Sequence, residues 1–153
     1  MSGLFFIRSA GEGDLAAVSK IIEACEPRAP RSVQNLKADL KRPDSEFVVA
    51  DDGRQLGGMG YAAMAKEETG VVILHRLHVS GNLTGQGIGR DIFAELETCF
   101  PDAKRMRVEV EKADEASQGF FTSLGFAEIG WAKQGSDRPH DAEVAILEKS
   151  LVF

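Results

Sequence analysis

The sequence predicts a single α+β domain built on a central mixed, mostly antiparallel sheet of about seven strands flanked by about four helices. Three observations lead there. The elements read in the order β-α-α-β-β-β-α-β-α-β-β. The links between residues 47 and 79 are short turns of the hairpin kind, whereas others are long and helical, so the sheet must hold both antiparallel and parallel neighbours. The 153 residues match one domain, 1–153, with no internal repeat, low-complexity tract or linker.

Residues 4–9 read as a short strand that Gly11-Glu12-Gly13 breaks. Asp14 is placed to cap a helix carrying Leu15, Val18, Ile21, Ile22 and Cys25 at helical spacing, and Pro27 to Pro30 stops it. Ser32 opens a second helix with Val33, Leu36 and Leu40 on one side, ended by Pro43. Phe47–Ala50, 55–66 and 71–79 follow as a meander, punctuated by Asp51-Asp52-Gly53 and by Glu67 to Gly70. A glycine-rich stretch from Ser80 to Gly89 leads into a helix with the stripe Ile88, Ile92, Phe93, Leu96, Cys99 and Phe100, ended by Pro101. Residues 105–111 alternate cleanly, Met106, Val108 and Val110 against Arg107, Glu109 and Glu111. Asp114 suits the cap of a short helix carrying Ala116, Phe120 and Leu124, with Gly125 at its left-handed end. Strands near 126–133 and 143–152 enclose a polar loop, Gln134 to Asp141. Trp131, Phe5, Phe6, Phe47, Phe93 and Phe100 read as core.

Charge narrows the function. The net charge of −6 repels phosphate backbones and anionic membranes, so neither nucleic acid nor a membrane is expected as a partner. The N-terminal apolar run, Leu4 to Ile7, has no basic lead and is too short for a signal peptide, so a cytoplasmic location is expected. The two cysteines, Cys25 and Cys99, form no C-x-x-C pair and fall on apolar stripes, where they read as small hydrophobes.

The most informative segment is strand, glycine-rich turn, helix at residues 71–100. Glycines permit positive φ and close approach of a ligand. The first N–H groups of the helix lack intrahelical acceptors, and the dipole adds positive potential, which together suit a phosphate or pyrophosphate. The bland alternative is a flexible loop. No Gly-Lys precedes a Ser or Thr, so a Walker loop is absent, and a dinucleotide fingerprint starting at Gly85 fails where Arg90 replaces its third glycine.

Leu77-His78-Val79 followed by Thr84-Gly85-Gln86-Gly87-Ile88-Gly89 resembles the acetyl-CoA motif of the GNAT superfamily of N-acetyltransferases. Gly87 and Gly89 match its two small positions; Thr84 stands where Arg or Gln is usual. Phe120-Phe121-x-x-x-Gly125-Phe126 resembles the family's second block, with Asp114 in place of the usual Asn and Phe121 in place of the usual Tyr. The order of elements along the whole chain is similar too. The resemblance implies acetyl-CoA as co-substrate. Backbone N–H groups of Gly85 to Arg90 would hold its pyrophosphate, and Leu77, His78 and Val79 would pair through the main chain with its pantetheine arm. Asp114, Ser117, Phe120 and Phe121 would also bind the cofactor. The acceptor would be a primary amine of a small molecule, a peptide N-terminus or a lysine, and a homodimer stays open.

Glu109 is the candidate base. Val108-Glu109-Val110 looks like the Leu-Glu-Val strand of the ribosomal-protein N-terminal acetyltransferases, the nearest pattern within the superfamily, whose glutamate takes the proton. The competing reading of Arg107, Glu109 and Glu111 is a half-exposed strand with solvated charges, and Glu111 is a weaker base candidate. His78 is a second catalytic candidate, against a plain hydrogen-bonded sheet residue. A spacing of three puts His75 and His78 on opposite strand faces, so no metal site is expected there. Arg28 and Arg31, beside the proline turn, and Asp137, Arg138 and Asp141 read as a possible rim or as surface charge; His140 reads as exposed. Two other classes stay open: a dinucleotide-binding oxidoreductase, since Glu109 and Glu111 lie about 20 residues past the glycines as a ribose-binding acid would, and a non-catalytic CoA-binding regulatory module.

Overall fold

The computed structural model describes residues 4–132 and 143–151. Seven strands form one sheet: β1 (Phe6–Ser9), β2 (Ser45–Asp51), β3 (Leu56–Met64), β4 (Val71–Val79), β5 (Arg105–Glu111), β6 (Ala127–Ala132) and β7 (Val144–Ser150). Among the described residues four α-helices accompany them: α1 (Leu15–Cys25), α2 (Val33–Lys41), α3 (Ile88–Thr98) and α4 (Glu115–Ser123). The strand order is β1-β2-β3-β4-β5-β7-β6. Every neighbouring pair is antiparallel except β4 with β5. The crossover through α3 makes that parallel step, because only a long connection can return a chain in the same direction.

The sheet separates two cores. Leu15, Val18, Ile22 and Leu36 of α1 and α2 close over Phe47, Val49, Met59 and Tyr61. On the opposite face Ile88, Ile92, Phe93 and Leu96 of α3 pack on Val48, Ala62, Leu74 and Val108. Gly60 brings α3 close: a Cβ there would stand 2.5 Å from Ile92 Cγ2 and 2.9 Å from Leu96 Cδ1. Each fully buried aliphatic side chain of this kind contributes roughly 1.5–3 kcal/mol. Met106, Val108 and Val110 fill the same core, as the alternation of β5 predicts.

Several local expectations are corrected. Phe6 is 54% exposed, because β1 is an edge strand and buries only part of its side chains; Phe5 instead lies over Gly57. Asp14 ends a 3-10 turn (Glu12–Asp14) and makes no side-chain cap to α1. Its two carboxylate oxygens each accept from Arg8 at 2.9 Å, a stronger partner than a helix N–H. On α4 the buried residue is Phe121, while Phe120 is half-buried and Ala116 exposed. Cys25 is exposed at the end of α1, where its thiol donates to the Val79 carbonyl at 3.4 Å. The polar loop with Asp137, Arg138, His140 and Asp141 lies outside the described residues, as does the side chain of Trp131.

Among the described residues, no helix is long and apolar enough to cross a membrane.

Candidate active site

The parallel pair sets the site. β4 and β5 pair from Val71–Arg105 to Leu74–Val108, and the pairing stops there. Beyond it β4 follows β3, with Leu77 opposite Gly60 and Val79 opposite Gly58. β5 follows β7, with Glu109 opposite Ile146 and Glu111 opposite Val144. The strands part, and two cavities open where they do.

The larger, about 530 Å³, lies between the glycine-rich turn, α3 and α4. Leu77, His78, Val79, Thr84, Gly85, Gly87, Ile88, Gly89, Arg90, Ser117, Phe120 and Phe121 all line it. Of the residues singled out in the sequence, Gln86 lines neither cavity and Asp114 lines the other. Gly85 and Gly87 hold φ of 84° and 83°, the left-handed region that residues with a Cβ resist. No atom lies within 4 Å of where a Cβ would stand on either, so the space beside the turn is open. Gly87 caps α3 without any side-chain hydrogen bond, which leaves the first N–H groups of the helix to another acceptor. Arg90, which lines this cavity, donates to the Ser123 hydroxyl at 2.9 Å and ties α3 to α4.

The smaller cavity, about 220 Å³, continues through the gap between the strands toward α1. The two share Leu77, His78, Ser117 and Phe121. Glu109 lines the smaller one together with Glu26, His75, Arg76 and Asp114. The Asp114 carboxylate caps α4, accepting from the Ser117 N–H at 3.1 Å and the Ser117 hydroxyl at 2.6 Å. Phe121 is 7% exposed and meets Phe120 and Phe126 edge-on.

A bulge in β4 overturns the expectation that His75 and His78 face opposite sides. The register steps from Tyr61–Arg76 to Ala62–Leu74, so His75 is an extra residue on its strand. Its ring stacks on Tyr61, centroids 5.5 Å apart, on the α1 and α2 face. Arg76 reaches the same face, where its Nη1 donates to Asp39 Oδ2 at 3.3 Å. His78 Nε2 stands 3.9 Å from Glu26 Oε1, just past α1. One inserted residue thus resets the alternation and gathers three side chains on one wall.

The charged face of β5 divides. Arg107 donates to Glu68 Oε2 at 2.7 Å and Glu148 Oε2 at 2.9 Å, and Arg105 reaches the same two carboxylates. The Arg107 hydrogen bonds hold the Glu68 carboxyl below the usual carboxylate range. Surface ion pairing therefore accounts for the arginines, whereas Glu109 lines a cavity and Glu111 lines neither. Desolvation, with the Glu26 charge beside it, pushes the Cys25 thiol up. Arg31 holds Asp39 at 3.5 Å, while Arg28 is exposed. Glu26 and Arg76 are charged cavity residues that sequence reasoning missed, and His75 entered it only as a metal candidate.

The mixed sheet thus splits at its single observed parallel step, with the glycine turn on one side and Glu109 on the other. The acetyltransferase (GNAT) domain model matches residues 18–137, and the chain belongs to that family. Its fold is similar to that of the ribosomal-protein-alanine N-acetyltransferase from Brucella melitensis, at 25% identity, TM-score 0.79, over 95% of this chain and 99% of that one. The ribosomal-protein-S18-alanine N-acetyltransferase from Escherichia coli aligns at 18% identity and TM-score 0.78, over 98% and 96%. Ard1 from Thermoplasma volcanium aligns at 14% identity and TM-score 0.84, over 97% and 99%. No sequence among curated proteins matches the chain.

Proposed function

We propose that this protein transfers an acetyl group from acetyl-CoA to a primary amine by direct attack. The observation that carries the reading is the junction of the two cavities at Leu77, His78, Ser117 and Phe121, with the glycine turn on one side and Glu109 on the other. The open Cβ directions at Gly85 and Gly87 and the uncapped start of α3 suit a pyrophosphate. Backbone N–H groups from Gly85 to Arg90 would bind it, and the β4 backbone at Leu77 to Val79 would align the pantetheine arm. Acetyl-CoA, when bound, supplies an acetyl group activated as a thioester. Glu109 takes the proton that makes the acceptor amine nucleophilic, directly or through a water. Phe121 brings no proton donor to the junction, and a leaving thiol with an ordinary pKa of about 8.5 needs none. The acceptor is a small-molecule amine, a peptide N-terminus or a lysine. Free thiols at Cys25 and Cys99 fit a reducing cytoplasm.

The missing hydroxyl at Phe121 favours one second reading, a CoA-binding module without turnover. Melting temperatures with acetyl-CoA, with NAD and with neither, joined to a CoA-release assay, separate the readings. Stabilisation by acetyl-CoA with amine-dependent release supports the enzyme. Stabilisation without release supports the module, and stabilisation by NAD alone contradicts both.

A further inference from the structure

We infer that the Arg90 side chain, held in place by Ser123, binds the ribose 3′-phosphate of CoA and makes the protein prefer CoA to the same cofactor without that phosphate. The inference rests on the acetyl-CoA reading and deepens it. Among the described residues that wall the larger cavity, Arg90 is the one Asp, Glu, Lys or Arg. The fixed charge of that wall is therefore positive, in a chain whose net charge is −6. Its guanidinium donates to a neutral partner, the Ser123 hydroxyl, at 2.9 Å, and no carboxylate of the described residues pairs with it. Asp91, the next residue on α3, does not line the cavity. Ser123 donates its own proton to the Phe120 carbonyl at 2.6 Å, which leaves its oxygen to accept from Arg90. A guanidinium carries further N–H donors beyond that bond, and its charge stays available to an anion. Arg90 also stands in the first turn of α3, where the helix dipole disfavours a cation. An anion bound beside it offsets that cost.

CoA carries two phosphate centres, the pyrophosphate and the phosphate on its ribose. The uncapped N–H groups at the start of α3 suit the first. The place of Arg90 suits the second. Ser117 marks the end of α4 at the junction of the cavities, and Ser123 lies about 9 Å further along the helix axis. A cofactor with its thioester at the junction and its pyrophosphate on the glycine turn carries its adenosine toward that far end. The two helices meet closely there, since a Cβ on Gly89 would stand 3.3 Å from the Phe120 ring. Arg90 and Ser123 bridge them. The planar fork of a guanidinium matches a phosphate dianion in shape and charge. At an exposed position such a pair changes affinity by roughly tenfold at low salt.

The test is calorimetric titration of the full chain with CoA and with dephospho-CoA, which lacks only the 3′-phosphate. The wild type should bind CoA roughly tenfold more tightly at low salt, and the difference should shrink as salt is raised. Arg90→Gln should lower CoA affinity to the level of dephospho-CoA and leave dephospho-CoA binding as it is in the wild type. The wild-type pair of titrations stands by itself should Arg90→Gln not fold. Equal wild-type affinities overturn the inference, as does a CoA preference that Arg90→Gln leaves intact. Equal losses on both ligands also overturn it and assign Arg90 to the pyrophosphate. All three outcomes leave the acetyl-CoA reading standing. Binding of neither ligand overturns that reading, and this inference with it.

Discussion

Leu74 pairs with Val108 across β4 and β5, and it is the last residue to do so. Glu109 is the next residue on β5 and His75 the next on β4, and both line the cavity that opens there. If Glu109 accepts the amine proton at this point, Glu109→Gln should lower kcat by about 10²–10⁴ with acetyl-CoA affinity unchanged. The acidic limb of the pH–rate profile should flatten as well. Steady-state kinetics and a calorimetric titration check both, and wild-type turnover in the variant moves the role to His78.

Gly87 carries φ of 83° at the start of α3 and has open space where a Cβ would stand. Gly87→Val should fold but bind acetyl-CoA roughly tenfold or more weakly, since a β-branched side chain resists that conformation and fills the space. Titration calorimetry on both proteins reads the difference. Equal affinities would remove the turn from the site.

Phe121 stands at the junction of the two cavities, and its ring is held edge-on by Phe120 and Phe126. Phe121→Tyr keeps the ring shape, so it should be tolerated and should raise kcat where the new hydroxyl reaches the sulfur. Tyr61 lies under α1 and α2 between Phe47 and His75 and lines neither cavity. Tyr61→Phe should therefore keep most activity. A large fall in kcat, with folding and acetyl-CoA binding intact, would place a proton donor at Tyr61 instead.

Arg8 joins Asp14 to Asp51 and so fastens the start of α1 to β1 and β2. Its hydrogen bonds hold the Asp14 carboxyl below the usual range. A carboxyl whose folded pKa is depressed stabilises the fold above its unfolded value, about 3.9, and that contribution is lost as pH falls through the lower folded value. Because Arg8 is partly exposed, the contribution is on the order of 1 kcal/mol. Asp14→Asn should lower the melting temperature at neutral pH and leave it nearly unchanged at the acid end. Equal losses at both ends would mean that the pair is not the cause.

The strands and helices were legible because burial follows the period of the chain. Met106, Val108 and Val110 fall inward every second residue, and Ile88, Ile92, Phe93 and Leu96 lie on one side of α3. The glycine turn was legible because positive φ is written in residue type at Gly85 and Gly87. The acceptor wall was not. A bulge depends on how two strands settle against each other, and nothing in Leu74-His75-Arg76 marks an extra residue. Asp14 looked like a cap because the competing partner, Arg8, meets it only in the folded chain. Cys25 fell on the apolar stripe of α1, yet the stripe runs off the core at its last turn.

The measurement closest to the central claim is CoA thiol release with and without an amine. The joined cavities predict release that depends on the amine and saturates with its concentration, together with an acetylated amine detected by mass spectrometry. Thiol release independent of any amine, or none while acetyl-CoA binds tightly, would contradict the claim that the two cavities form one transfer site.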